Sequence, residues 1–176
     1  MAQSPNEVRR PPGVVRAGRK ARGAARRASR ALTLEKLLPE AYLKAAQEPV
    51  DPKLAVFIEA TSETPSNSLA EMYQVLRDDY GFEVRFFSLG LNRVSRARLY
   101  ANVLGIADQL AHARFIIICD ASEFIGCLPL RDETDVIQLW HGCGAFKKFG
   151  MSTADKKFGE NRAAKLRYPL YANTSL

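Results

Sequence analysis

The sequence is short of several things, and each shortage narrows the field. No apolar run approaches the ~20 residues a helix needs to cross a bilayer; the longest, Phe115–Cys119, is of strand length. The N-terminus is basic, but the apolar segment of a secretory signal does not follow it. The three cysteines, Cys119, Cys127 and Cys143, are odd in number and include no Cys-x-x-Cys pair. That speaks against a disulfide framework or a zinc site and for free thiols in a reducing cytoplasm. Glycine-rich phosphate loops are missing as well. Gly142-Cys143-Gly144 lacks the third glycine of a dinucleotide fingerprint, and no Gly-x-x-x-x-Gly-Lys-Ser/Thr occurs. No internal repeat is present.

Acidic residues are scarce in one place. The net charge is +7, yet residues 1–30 hold nine Arg or Lys and one acid, whereas the remainder holds 17 basic and 18 acidic residues. The basic character therefore belongs to a tail. Its first 13 residues contain three prolines and little apolar surface, a composition expected to be disordered. From Val14 to Leu32, at about 100° per residue, Arg16, Arg19, Lys20, Arg26, Arg27 and Arg30 fall on one helical face. Ala17, Ala21, Ala24, Ala25, Ala28 and Leu32 fall roughly opposite. Gly18 and Gly23 weaken this basic amphipathic helix. With an alanine face, insertion into lipid is shallow, and attraction to anionic headgroups dominates at about 1 kcal/mol per basic residue. A solvated arm, a phosphate-binding arm and a transit peptide are the other readings. No aromatic residue interleaves the run, so a stacking platform for single strands is missing and nucleic acid is not expected as a partner.

Past the tail, apolar periodicity alternates between two kinds. Leu34, Leu37, Leu38, Ala41, Tyr42 and Ala45 predict a helix over Leu32–Gln47, with Thr33 as its cap and Pro39 as a kink. Leu54–Ile58 is a continuous apolar run inside a strand Lys53–Glu59, the pattern of a sheet covered on both faces. Then come a helix Leu69–Asp79, a strand Glu83–Leu89, a helix Asn92–Ala111, and strands Arg114–Cys119 and Val136–Trp140. A last helix spans Lys156–Leu166. His112, between a helix end and a strand, reads as structural. The fold class is α/β, a Rossmann-like parallel sheet with helices on both faces. The expected division is a disordered or amphipathic tail over 1–31, a connecting helix over 32–50 and the sheet domain over 51–176.

Chemistry concentrates after the fourth strand. The strand stops at His141-Gly142-Cys143-Gly144, and Ala145–Phe149 starts a helix with Lys147 and Lys148 in its first turns. Open α/β sheets bind ligands at the carboxyl edge of their strands. There, His141 can take a proton near neutral pH. Lys147, Lys148 and the amides of Gly142 and Gly144 can neutralise phosphate charge. A structural histidine is the competing reading. A Cys143–His141 nucleophile has no evident third group to orient it. Asp120 ends the third strand at the same edge, so it approaches His141 together with Ser122 and Glu123. Asp120 either orients the His141 ring or caps a loop or helix.

Val136-Ile-Gln-Leu-Trp-His-Gly-Cys-Gly-Ala-Phe-Lys-Lys-Phe-Gly150 resembles the Trp-His-Gly-Thr-Pro-Leu-Lys-Lys-Leu-Gly signature of the CDP-glycerol glycerophosphotransferase family, which primes and polymerises teichoic acids. Trp140, His141 and Gly142 match, and Lys147, Lys148 and Gly150 match after one residue more than the signature has between its Gly and its Lys-Lys. Cys143, Gly144 and Phe146 stand where the family has Thr, Pro and Leu. The resemblance implies that His141 is a catalytic base and that this chain is the N-terminal, acceptor-side half of a GT-B architecture. It also implies that the loop after Glu59, with Thr61 and Ser62, lines the acceptor cleft. The implied substrates are CDP-glycerol and a lipid-linked polyol-phosphate acceptor; no cofactor and no metal-ligating residue is expected. The implied location is cytoplasmic, peripheral to the inner face of the cell membrane, with residues 14–32 on the anionic surface. In the family a second, nucleotide-binding domain follows, so this chain is expected to be inactive alone. The alternative from another class is a non-catalytic α/β binding module whose basic tail engages membrane or nucleic acid.

Overall fold

The structure is a computed structural model that describes residues 12–139, 150–157, 160–170 and 172–174, with the backbone alone described for 12–19, 68 and 150. Four strands, β1 (Asp51–Glu59), β2 (Glu83–Ser88), β3 (Ala113–Ile118) and β4 (Asp135–Gln138), form one sheet in the order β2-β1-β3-β4. All three pairings are parallel. β1 is central, and every residue from Leu54 to Glu59 is buried. That is why its apolar run is continuous rather than alternating.

Successive side chains of a strand leave on opposite faces, and the core divides accordingly. Ala55 and Phe57 of β1, with Ile117 of β3, pack under α3 (Asn67–Asp78) through Leu69, Met72, Tyr73 and Leu76. Phe57 meets Tyr73 edge to face at 5.4 Å between ring centroids. On the other face, Leu54, Val56, Ile58, Ile116 and Ile118 pack against α2 (Leu38–Ala45), α4 (Arg96–Gly105) and α5 (Ala107–His112). Helices thus cover both faces of a parallel sheet, the Rossmann-like class expected from the sequence.

Three expected helices differ in detail. The helix over Asn92–Ala111 is two pieces. Ser95 opens α4 by accepting the Arg98 N–H at 3.3 Å, and Ile106, at φ −102° and ψ 0°, interrupts it before α5. The apolar period runs through the break because both pieces face the same sheet, so periodicity alone cannot show it. The helix over Leu32–Gln47 does not start at Thr33. It continues from α1 (Pro12–Leu32) through a π-helical turn, Thr33–Leu37, into α2. Thr33 is buried inside this rod, and its carbonyl accepts the N–H of Leu38. The wider turn relieves crowding just before Pro39, which has no N–H to give and would press on the carbonyl a turn earlier. Leu34, Leu38 and Tyr42 are fully buried, each stabilising by about 1.5–3 kcal/mol, so the segment read as a connecting helix is part of the core. The last helix, α7, is only Arg162–Arg167. Asn161 caps it, its Oδ1 accepting the Ala164 N–H at 2.8 Å.

The C-terminal segment folds back on this rod. The Glu35 carboxylate accepts hydrogen bonds at 2.7 Å from Arg167 Nη2 and from the Tyr168 hydroxyl. Arg167 first and Tyr168 second hold Glu35 below its ordinary value of 4.5. A carboxyl lowered on folding stabilises fully above its unfolded value and loses that contribution as pH falls through the folded one. Glu35→Gln is therefore expected to lower stability at neutral pH and to flatten the acid limb below about pH 4.5. Urea melts at a series of acidic pH values would read this, and an unchanged acid limb would remove Glu35 from the account.

Candidate functional site

β1 leads through α3 to β2 on one side, and the next connection crosses to β3 on the other. Ligands of open α/β sheets sit where that reversal occurs, outside the carboxyl ends of the strands. A cleft of about 580 Å³ lies there. Its floor is apolar, with Ile58, Leu89 and Ile118 at the strand ends and Leu99, Tyr100 and Phe124 behind them. Its rim is polar and includes Arg26, Asn92, Arg96, Asp120, Ser122 and Glu123.

The loop from Leu89 to Ser95 shapes one wall. Leu91 N–H bonds to Ala60 O at 2.7 Å, stapling the end of β2's loop to the end of β1. Gly90 takes φ +73°, and a Cβ there would press on the Val94 side chain at 3.1 Å. Its carbonyl accepts the N–H groups of both Arg93 and Val94 at 3.0 Å. Asn92, at φ 66°, occupies the left-handed region that asparagine tolerates better than most residues. Glu59 is buried and its Oε1 accepts the Ser66 N–H at 2.9 Å, which ties down the loop before α3. Of the loop after Glu59, Ala60 lines this cleft. Thr61 and Ser62 instead support the loop itself, Thr61 O accepting from Arg93 at 3.0 Å and the Ser62 hydroxyl donating to Thr64 O at 2.6 Å.

Asp120 lies in the cleft wall just past β3. It does not cap the next helix, α6 (Glu123–Gly126). Ser122 does, its hydroxyl oxygen accepting the Ile125 N–H at 3.5 Å. Leu139 N–H bonds to Ile118 O at 2.8 Å, so β4 leaves the sheet at the same edge, beside the strand that carries Asp120. His141, Gly142, Gly144, Lys147 and Lys148, and with them Cys143, lie outside the described residues.

The sequence reading missed Arg26 and Arg96 as cleft residues. Arg26 was assigned to a tail and Arg96 to a helix that began earlier. Among the described residues neither has an ion-pair partner. Glu123 is neutralised: Arg30 pairs with it, donates to Glu160 Oε1 at 2.8 Å and lies over the Tyr168 ring at 4.2 Å. Cys127 is half-buried; burial first, then Glu123, pushes its thiol up to about 11, so it is a poor nucleophile at neutral pH. His112 sits at the opposite, amino-terminal edge of the sheet, its Nδ1 2.8 Å from Asp108 O, a structural placement as expected. Among the described residues no three His, Cys, Asp or Glu side chains gather to hold a metal ion.

An open parallel sheet with a cleft at its switch point places the chain among the α/β proteins that bind ligands at the strands' carboxyl edge. Residues 40–174 match the family described as CDP-Glycerol:Poly(glycerophosphate) glycerophosphotransferase, and the chain belongs to that family. It is 29% identical over 133 residues to a teichoic acid ribitol-phosphate primase of Bacillus spizizenii, covering 74% of this chain and 34% of that protein. It is 32% identical over 79 residues to a teichoic acid poly(ribitol-phosphate) polymerase of the same organism, 45% of this chain and 12% of that one. A teichoic acid ribitol-phosphate polymerase of Staphylococcus aureus is 27% identical over 86 residues, 49% and 17% respectively. The chain thus spans about a third, or less, of the length of these relatives.

Proposed function

We propose that the chain is the acceptor-side half of a polyol-phosphate transferase of teichoic acid type, in a GT-B arrangement whose donor-side domain lies outside these 176 residues. The observation that carries this reading is the cleft at the switch point, inside the family-matched stretch, with Asp120 in its wall and β4 leaving the sheet beside it. A hydroxyl of a lipid-linked polyol phosphate attacks the glycerol-bearing phosphorus of CDP-glycerol. The new P–O bond forms as the bond to CMP breaks. His141 takes the hydroxyl proton, and Asp120 orients the ring. Lys147, Lys148 and the amides of Gly142 and Gly144 hold the phosphate charge that builds up. No cofactor takes part. Three relatives are named for ribitol phosphate, so CDP-ribitol is the donor to compare with CDP-glycerol.

The same proposal puts the protein in the cytoplasm, against the anionic inner face of the membrane. Among the described residues no helix is long and apolar enough to cross a membrane. α1 stands largely exposed from Lys20 to Ser29, which leaves Lys20, Arg22 and Arg27 to meet headgroups. Arg26 and Arg30, placed by the sequence on the same basic face, are turned to the domain instead. Removal of residues 1–31 is expected to abolish binding to phosphatidylglycerol vesicles, and the intact chain is expected to ignore RNA.

Binding order tests the acceptor-side assignment. The chain should bind a short glycerol-phosphate oligomer about tenfold, or 1.4 kcal/mol, more tightly than CDP-glycerol. The opposite order would make this the donor side and end the proposal.

A further inference from the structure

We propose that Arg26, which lies before the family-matched region, is a substrate-binding residue of the cleft, and that with Arg96 it forms a subsite for the phosphodiester groups of the acceptor. This rests on the acceptor-side reading above and assigns charge recognition within it.

Arg26 reaches the cleft from α1, and Arg96 is the first residue of α4. Between them the floor is Ile58, Leu89 and Ile118. Both side chains are exposed at the rim, open to a ligand that enters the cleft, and two guanidinium groups on one rim present paired positive charge to an anion there. Neither has an ion-pair partner among the described residues, and of the two acids that line the cleft, Asp120 and Glu123, Glu123 is already paired with Arg30.

Arg30 explains why Arg26 stands where it does. Residues four apart share one side of a helix. Arg30 is pinned by Glu123, by Glu160 and by the Tyr168 ring, and only 19% of its side chain is exposed. That pin fixes the rotation of α1 and sets Arg26 at the cleft one turn earlier. A helix that only followed a membrane surface would gain nothing from being held at one rotation over a cleft. A polyol-phosphate acceptor repeats a phosphodiester along its length, and arginine's planar fork binds such groups in a bidentate manner that lysine does not reproduce.

The same diester occurs in phosphatidylglycerol headgroups, so the test has two arms. The 176-residue chain is titrated calorimetrically with glycerophosphoglycerol, a soluble diester, and floated with phosphatidylglycerol vesicles. For the soluble diester, Arg26→Ala and Arg96→Ala are each expected to weaken binding about tenfold. Arg26→Lys recovers only part of the loss, and Lys20→Ala changes nothing. For vesicles, Arg26→Ala should bind as the wild type does. The inference is overturned if both alanine variants bind the diester like wild type, or if Arg26→Ala loses vesicle binding alone. Those results leave the acceptor-side reading standing. A wild-type chain that does not bind the diester at all sinks both.

Discussion

Gly126→Ala is expected to destabilise the protein by roughly 1–3 kcal/mol, with the cost concentrated at the C-terminal segment. A Cβ on Gly126 would lie 1.7 Å from the carbonyl oxygen of Pro169 and 2.8 Å from its carbonyl carbon. Those are backbone atoms, so no rotamer change relieves the overlap, and the segment must lift away. The segment is worth holding in place. The Asn173 amide donates to the carbonyls of Ile125 and Leu128, at 2.7 and 2.8 Å, closing the end of α6. Leu170 lines the cleft, and Tyr168 lies under Arg30. Loss of that seat would therefore loosen α1 as well. Urea melts give the total, and hydrogen exchange over residues 168–174 locates it. Unchanged exchange there would show that the packing relaxes without detaching. Gly105→Ala makes the contrast. Nothing lies within 4 Å of a Cβ at that helical position, so alanine should stabilise by about 0.5–1 kcal/mol.

His141→Ala is expected to reduce turnover by about 10²–10⁴-fold in a chain that carries a donor-side domain, the usual contribution of a positioned general base. The acceptor hydroxyl is a weak nucleophile until its proton has somewhere to go. A residue that only removes a proton in the transition state should lower kcat and leave acceptor affinity nearly unchanged. The 176-residue chain without such a domain is expected to release CMP from CDP-glycerol no faster than its His141→Ala variant. Turnover by that chain, abolished by the substitution, would place a complete active site within it and overturn the two-domain proposal. A wild-type rate in the variant with the donor domain present would return His141 to a structural role.

Much of the architecture was legible in local pattern, for a physical reason. Leu54–Ile58 and Phe115–Cys119 are unbroken apolar runs because their strands are covered on both sides, and burial of both faces leaves its mark residue by residue. The same holds for Leu69, Leu76 and their neighbours, whose helical spacing reports a single buried face. The motif at Trp140–Gly150, read from residue types alone, led to the family that residues 40–174 match. The break at Ile106 and the π turn before Pro39 were not legible, since apolar period survives both.

Only the tertiary structure decided the relations between residues far apart in the chain. The order β2-β1-β3-β4, and with it the position of the cleft, depends on which strands pair rather than on any one strand's composition. Arg30 meets Glu123 and Glu160, 93 and 130 residues away, and no helical wheel drawn on α1 could show that its basic side turns inward there. Gly126 looked like any glycine until the backbone at Pro169 closed on it. Local sequence determined which segments would be strand or helix and which family motif the chain carries, because those depend on burial period and residue type. The fold decided which distant charges meet, as Arg30 meets Glu123 and Glu160, because long-range packing brings them together and leaves no short-range trace.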